Sequence, residues 1–155
     1  MSMQARIKHP VFVFPEAYKA LMALHAATEK AGVPAKTFEL MHLRASQING
    51  CAVCLEMHVQ NARKLDESDV RLATVAAWRE SSYFSDAERA ALALTEALTR
   101  VADRVDPVPD DLWNEAARHY DETQLSALLL SIAQINVWNR LNIATRQIAG
   151  VAKWG

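Results

Sequence analysis

The chain has 155 residues, 51% of them hydrophobic and 23% charged, with a formal net charge of −1 at pH 7. A chain of this length makes one domain that buries roughly 68–70% of its unfolded surface, so folding alone requires neither a disulfide nor a metal. The near-neutral charge excludes an electrostatic case for nucleic acid or an anionic membrane, and no apolar run approaches the roughly 18 residues of a spanning helix. The first residues carry Arg6 and Lys8 and lack the apolar region and cleavage site of a signal peptide, so a cytoplasmic location is expected.

Residues 1–14 read as an N-terminal arm. Pro15 opens a first helix through His25 that closes at Gly32, a C-terminal cap position. Pro34 starts a second, carrying Phe38, Met41, Ala45 and Ile48 and stopped by Asn49-Gly50. A third runs over residues 51–65 and a fourth over 70–80, separated by Asp66-Glu67-Ser68. Ser85 and Glu88 form a capping box for a fifth helix ending near Asp103. Residues 110–120 follow Pro107 and Pro109, and Asp121 with Gln124 caps a last helix over 125–148. Strand alternation is nowhere sustained. The expected fold is one all-α domain spanning residues 1–155, a bundle of about six to seven helices.

The last helix places Leu128, Leu129, Leu130 and Ile132 within five positions, so apolar side chains point to several of its sides. Either it is a central core helix, or part of it faces another subunit; a homo-oligomer is the expectation.

The stretch with the most chemistry is Cys51-Ala-Val-Cys54-Leu-Glu-Met-His58, which holds both cysteines of the chain. A C-x-x-C at a helix start can close a disulfide with little backbone movement, and the helix dipole there favours thiolate. His58 lies one turn beyond Cys54 on the same face, a stripe that continues through Ala62 and Leu65. The short Asn49-Gly50 turn pairs the second and third helices antiparallel. Glu39 is ten residues before Asn49 and His58 nine after it. At about 1.5 Å per residue both lie roughly 14–15 Å from the turn, and so level with each other. A Glu39–His58–Cys54 relay with Cys51 alongside follows, suited to thiolate attack on a peroxide, sulfenic acid, disulfide closure and resetting by an outside dithiol.

Blander readings stand beside this one. A histidine on an apolar face is commonly a satisfied core residue. The stripe of Glu39, His42 and Ser46 has the spacing of an ordinary solvated face. Zinc held by Cys51, Cys54, His58 and either Glu39 or His42 is the other chemical reading, although no second knuckle of ligands exists. It would make the chain a zinc-stabilised binding module. A dithiol–disulfide oxidoreductase for which peroxide is not the true substrate is a further alternative. A c-type haem is excluded, because Leu55 rather than histidine follows Cys54.

Glu39, the Cys51-x-x-Cys54 pair twelve residues later, and His58 resemble the E-x11-C-x-x-C-x3-H pattern of alkyl hydroperoxidase D-like proteins, within the all-helical carboxymuconolactone decarboxylase superfamily. The segment Ile135-Asn-Val-Trp-Asn-Arg-Leu-Asn142 is similar to part of that family's last helix. The resemblance implies a thiol-dependent peroxidase acting on a small peroxide with a dithiol or protein reductant, and with no cofactor and no metal. It gives Cys54 the role of sulfenic acid former and Cys51 that of proton donor and resolving thiol, with Glu39 and His58 in the proton relay. It also implies a ring-like oligomer such as a trimer or hexamer. Val53 stands where the family's founding member has a further histidine.

Overall fold

Signals at the helix ends decide where this chain turns. The computed structural model describes residues 3–151. Helices α1 (Pro10–Val13) and α2 (Pro15–Thr28) each begin on a proline, whose missing N–H costs nothing in the first turn. A 3-10 turn, Glu29–Ala31, then ends at Gly32 with φ 82°, a left-handed position that glycine adopts without steric cost. Helix α3 (Ala35–Asn49) closes the same way on Gly50, φ 73°, and α4 (Ala52–Lys64) starts two residues later. Helices α5 (Asp69–Thr74), α6 (Asp86–Thr99), α7 (Asp110–His119) and α8 (Glu122–Thr145) complete the bundle, with no strand among the described residues. Both expected capping boxes form, Ser85 with Glu88 and Asp121 with Gln124.

Four boundaries differ from the sequence reading, one being α6, which stops at Thr99 and is followed by a 3-10 turn at Val101–Asp103. The fourth expected helix breaks into α5 and a 3-10 segment, Val75–Glu80, with Ala77 outside helical geometry at φ −118° and ψ 32°. Trp78 explains the break: its indole is buried and donates to Glu96 Oε1 at 3.0 Å, and its carbonyl accepts from Arg89 at 2.9 Å, so tertiary partners replace helical ones. Helix α8 stops at Thr145 rather than Ile148, because Arg146 turns left-handed at φ 54°. The N-terminal arm contains α1, an eighth helix beyond the six or seven expected. Its approach is strapped to the end of α8 by Arg6, which bonds the carbonyls of Ala144 and Thr145.

Helix α3 sits at the centre, packed against α4, α6 and α8, while α2 lies along α8 and α7 along α6. One core cluster joins Phe38 and Met41 of α3 to Ala91 and Leu94 of α6 and Leu128 and Ile132 of α8. A second joins Leu40 and Leu43 to Ala62, Leu72, Trp78 and Leu92. Each fully buried side chain of this size contributes about 1.5–3 kcal/mol. Glu96 ties the second cluster together by accepting from Arg44 at 2.7 Å, from Arg79 and from Trp78. No helix among the described residues is long and apolar enough to cross a membrane.

Candidate active site

The Asn49–Gly50 turn is fixed from outside. Asn49 Nδ2 donates to Asn136 Oδ1 at 3.0 Å and Asn139 Oδ1 at 2.9 Å, and Asn139 Nδ2 donates to Ser46 Oγ at 3.1 Å. Helix α8 thus holds the start of α4 in place through an amide network, which is why the cysteines come next in a rigid setting. Cys51 is the N-cap of α4, its sulfur accepting the Cys54 backbone N–H, and the two cysteines are joined as a disulfide with Cα atoms 5.3 Å apart. Cys54 is 0% exposed and packs with Val53 and Ala149. Asn142 of α8 donates from Nδ2 to Cys54 Sγ at 3.4 Å.

One turn further along α4, Glu39 Oε2 accepts from His58 Nδ1 at 2.7 Å. The level pairing expected from helical rise is therefore present. The direct link from His58 to Cys54 is not: the side-chain donor on Cys54 is Asn142, and His58 Nε2 is buried with no partner among the described residues. The stripe of Glu39, His42 and Ser46 is also not a solvated face. His42 and Ser46 are buried, because α8 covers this side of α3. His42 Nε2 meets Ser131 Oγ at 2.6 Å, and its ring lies 4.7 Å from that of His58. A second imidazole thus reaches the site from α3, although Val53 fills the position of the family's additional histidine. Leu65, expected at the end of the buried stripe, is 36% exposed because it is the C-cap of α4.

Burial sets the charge states here. It lowers the pKa of His58 to about 4, with His25 adding repulsion, and that of His42 to about 3, where the neighbouring His58 adds to the burial and Glu39 opposes it. Both rings are neutral at pH 7. Burial also raises Glu39, against the pull of His42 and His25. The histidines border a cavity of about 180 Å³ lined also by Met22, His25, Met57 and Trp138. Cys51 borders a separate groove of about 560 Å³ lined by Gly50, Asn142, Arg146 and Ile148. With its sulfurs joined to each other, the thiolate zinc set weighed from the sequence offers no thiolate in this redox state.

Sequence reasoning missed Ser131, Asn142 and His9, and gave His42 no catalytic place. Asn136, Asn139 and Asn142 recur every three residues along the second half of α8. Amides buried there need partners, and that pattern was the available signal. His9 had none. It is buried, its Nδ1 accepts from Val11 N at 3.3 Å, and burial lowers its pKa while the Asn142 side chain opposes that shift. His9 Nε2 and Asn142 Oδ1 are each buried with no hydrogen-bond partner among the described residues.

Comparison with known proteins matches this architecture. The model of the carboxymuconolactone decarboxylase family matches residues 15–97, more than half of the chain. The uncharacterized protein YdfG of Bacillus subtilis is 41% identical over 132 residues, covering 85% of this chain and 88% of that one. A crystal structure of a protein of unknown function from Agrobacterium tumefaciens, provisionally assigned as the antioxidant defence protein AhpD, superposes with a TM-score of 0.87 at 34% identity. That match covers 96% of this chain and 99% of the other. The debrominase Bmp8 in complex with 2,3,4-tribromopyrrole shares the fold, with a TM-score of 0.78 at 21% identity over 90% of this chain and 74% of its own. The chain belongs to the carboxymuconolactone decarboxylase family, as an AhpD-like member with a C-x-x-C pair.

Proposed function

We propose that the protein is a thiol-dependent peroxidase that cycles Cys51 and Cys54 between dithiol and disulfide. The observation that carries this reading is the Cys51–Cys54 bridge at the head of α4 with the Glu39–His58 pair one turn behind it. In the reduced enzyme Cys54 is the attacking thiolate, stabilised by the helix start and by the Asn142 amide. His58 takes the thiol proton on its Nε2, which has no partner among the described residues, directly or through one water, while Glu39 fixes the tautomer and stabilises the imidazolium that forms. The thiolate sulfur attacks the terminal oxygen of a hydroperoxide. An S–O bond forms, the O–O bond breaks, sulfur is oxidised, and the alkoxide leaves as alcohol with the proton held by His58. Cys51 then attacks the sulfenic sulfur, forming the S–S bond and releasing hydroxide, which leaves as water with the Cys51 proton. An external dithiol returns both sulfurs to thiols while becoming a disulfide itself.

The test is thiol titration of the reduced protein with one equivalent of an organic hydroperoxide. Two free thiols per chain should fall to none, the product should be an intramolecular disulfide by mass spectrometry, and dithiothreitol should restore both. Intermolecular crosslinks alone, or no thiol loss, overturn the reading.

A further inference from the structure

The two imidazoles of the site each spend one nitrogen on an outer partner and leave the other bare. His58 gives its Nδ1 proton to Glu39 Oε2. His42 engages Ser131 Oγ through Nε2, which we assign as the protonated nitrogen. His58 Nε2 and His42 Nδ1 remain as buried atoms without a partner among the described residues, on rings 4.7 Å apart. A buried lone pair without a donor is costly, and this site carries two side by side. Outer partners that fix the tautomer and present the second nitrogen are the arrangement found behind metal-ligating histidines.

Glu39 completes the set. One ligand atom from each of Glu39, His42 and His58 can be chosen so that all lie within 4.8 Å of one another. Zinc–nitrogen bonds of about 2.0–2.1 Å make a tetrahedral edge of about 3.4 Å. Because Glu39 Oε2 rests on His58 Nδ1, closing the set on one ion through the bare Nε2 takes the carboxylate off that hydrogen bond and swings it toward the ion. The adjoining cavity of about 180 Å³ leaves space for a water or exogenous ligand in the remaining position. Two imidazoles with one carboxylate suit borderline transition-metal ions rather than calcium or magnesium, and the carboxylate offsets part of the ion's charge.

We propose that Glu39, His42 and His58 form a binding site for a divalent transition-metal cation of the Zn2+ type, and that an ion bound there stops the thiol cycle by taking the His58 lone pair. The donors differ from a thiolate site: neither cysteine takes part. The binding half stands by itself, and only the inhibitory half rests on the peroxidase reading.

The experiment uses the full chain in its disulfide form, so that thiols cannot compete, stripped with EDTA and dialysed. Zn2+ is titrated against a chromogenic chelator. The parent should bind one ion per chain, and His42→Ala and His58→Ala should each lose that stoichiometric binding. Ser131→Ala should weaken binding about 10–100-fold through loss of the outer partner of His42. Glu39→Gln, which keeps a hydrogen-bonding partner for His58, should weaken binding with circular dichroism unchanged. A double Cys51→Ser, Cys54→Ser protein should bind as the parent does. Absence of a one-to-one complex with the parent, or full binding by both histidine variants, overturns the site. One-to-one binding with peroxide turnover undiminished overturns the inhibitory half, and a parent that binds zinc but never consumes peroxide overturns the peroxidase reading alone.

Discussion

Replacing Asn142 tests whether Cys54 is the sulfur poised as thiolate. Its Nδ2 is the side-chain donor to Cys54 Sγ, at 3.4 Å, and both residues are buried. A hydrogen bond to a charged group is worth about 1.5–3 kcal/mol. At about 1.36 kcal/mol per pKa unit, its loss raises a thiol's pKa by about 1–2 units, and the long contact to a diffuse sulfur argues for about 1. Asn142→Leu keeps the branching and number of heavy atoms and removes the donor. Asn142→Asp keeps the shape and places a negative charge beside the sulfur, so it should raise the pKa further than leucine does. In a reduced Cys51→Ser background, the pH dependence of iodoacetamide alkylation reads the Cys54 pKa directly. The ordering parent, then leucine, then aspartate is expected. A leucine variant with the parent's pKa, or an aspartate variant below it, refutes the argument that this amide stabilises the thiolate.

Cys54→Ser should abolish peroxide turnover, whereas Cys51→Ser should form one sulfenic acid and stall; dimedone labelling at Cys51 in the Cys54→Ser protein would reverse the two roles. Glu39→Gln and His58→Ala should each slow peroxide consumption by about 10²–10⁴-fold with helical content retained, and near-native rates would reduce both to packing residues. Although burial pushes Glu96 upward, its hydrogen bonds from Arg79, Trp78 and Arg44 prevail and hold its carboxyl below the usual range. Its stabilising effect is then full above the ordinary carboxylate pKa and is lost as pH falls through the lowered value. Urea denaturation from pH 7 to pH 3 should show the parent converging on Glu96→Gln at the acid end, and parallel curves would contradict this. We propose that copies associate through the face of α8 that carries Leu130 and Val137, 46% and 40% exposed and two turns apart. Light scattering should give at least twice the 17.3 kDa of one chain, in a closed ring such as a trimer or hexamer, and charge at both positions should yield monomers.

What could be read from the sequence was whatever depends on one helix or on one tight turn. The Asn49-Gly50 stop, the two capping boxes and the level pairing of Glu39 with His58 all follow from rise per residue and end chemistry, and each is present in the fold. What escaped depends on α8 lying across α3. Nothing local tells His42 that Ser131, 89 residues away, will meet its ring, and so a stripe with the spacing of a wet surface became a buried wall of the site. Asn142 escaped for the same reason, since its partner is 88 residues distant. The break at Ala77 likewise belongs to Trp78 and its tertiary contacts, not to helix propensity.

The two openings of the site share no lining residue: the cavity at His58 is bounded by α2, α3, α4 and α8, and the groove at Cys51 by the start of α4, the end of α8 and residues of the N-terminal arm. In a double-displacement cycle, oxidant and reductant ordinarily contend for one mouth, and each at high concentration traps the enzyme form meant for the other. On the proposed cycle, a bulky dithiol carrier docking over Cys51 would leave the histidine side clear. Saturating reductant should therefore leave the velocity for peroxide undiminished, with parallel reciprocal plots that do not bend upward, and a protein-sized electron donor would be tolerated as readily as a small one.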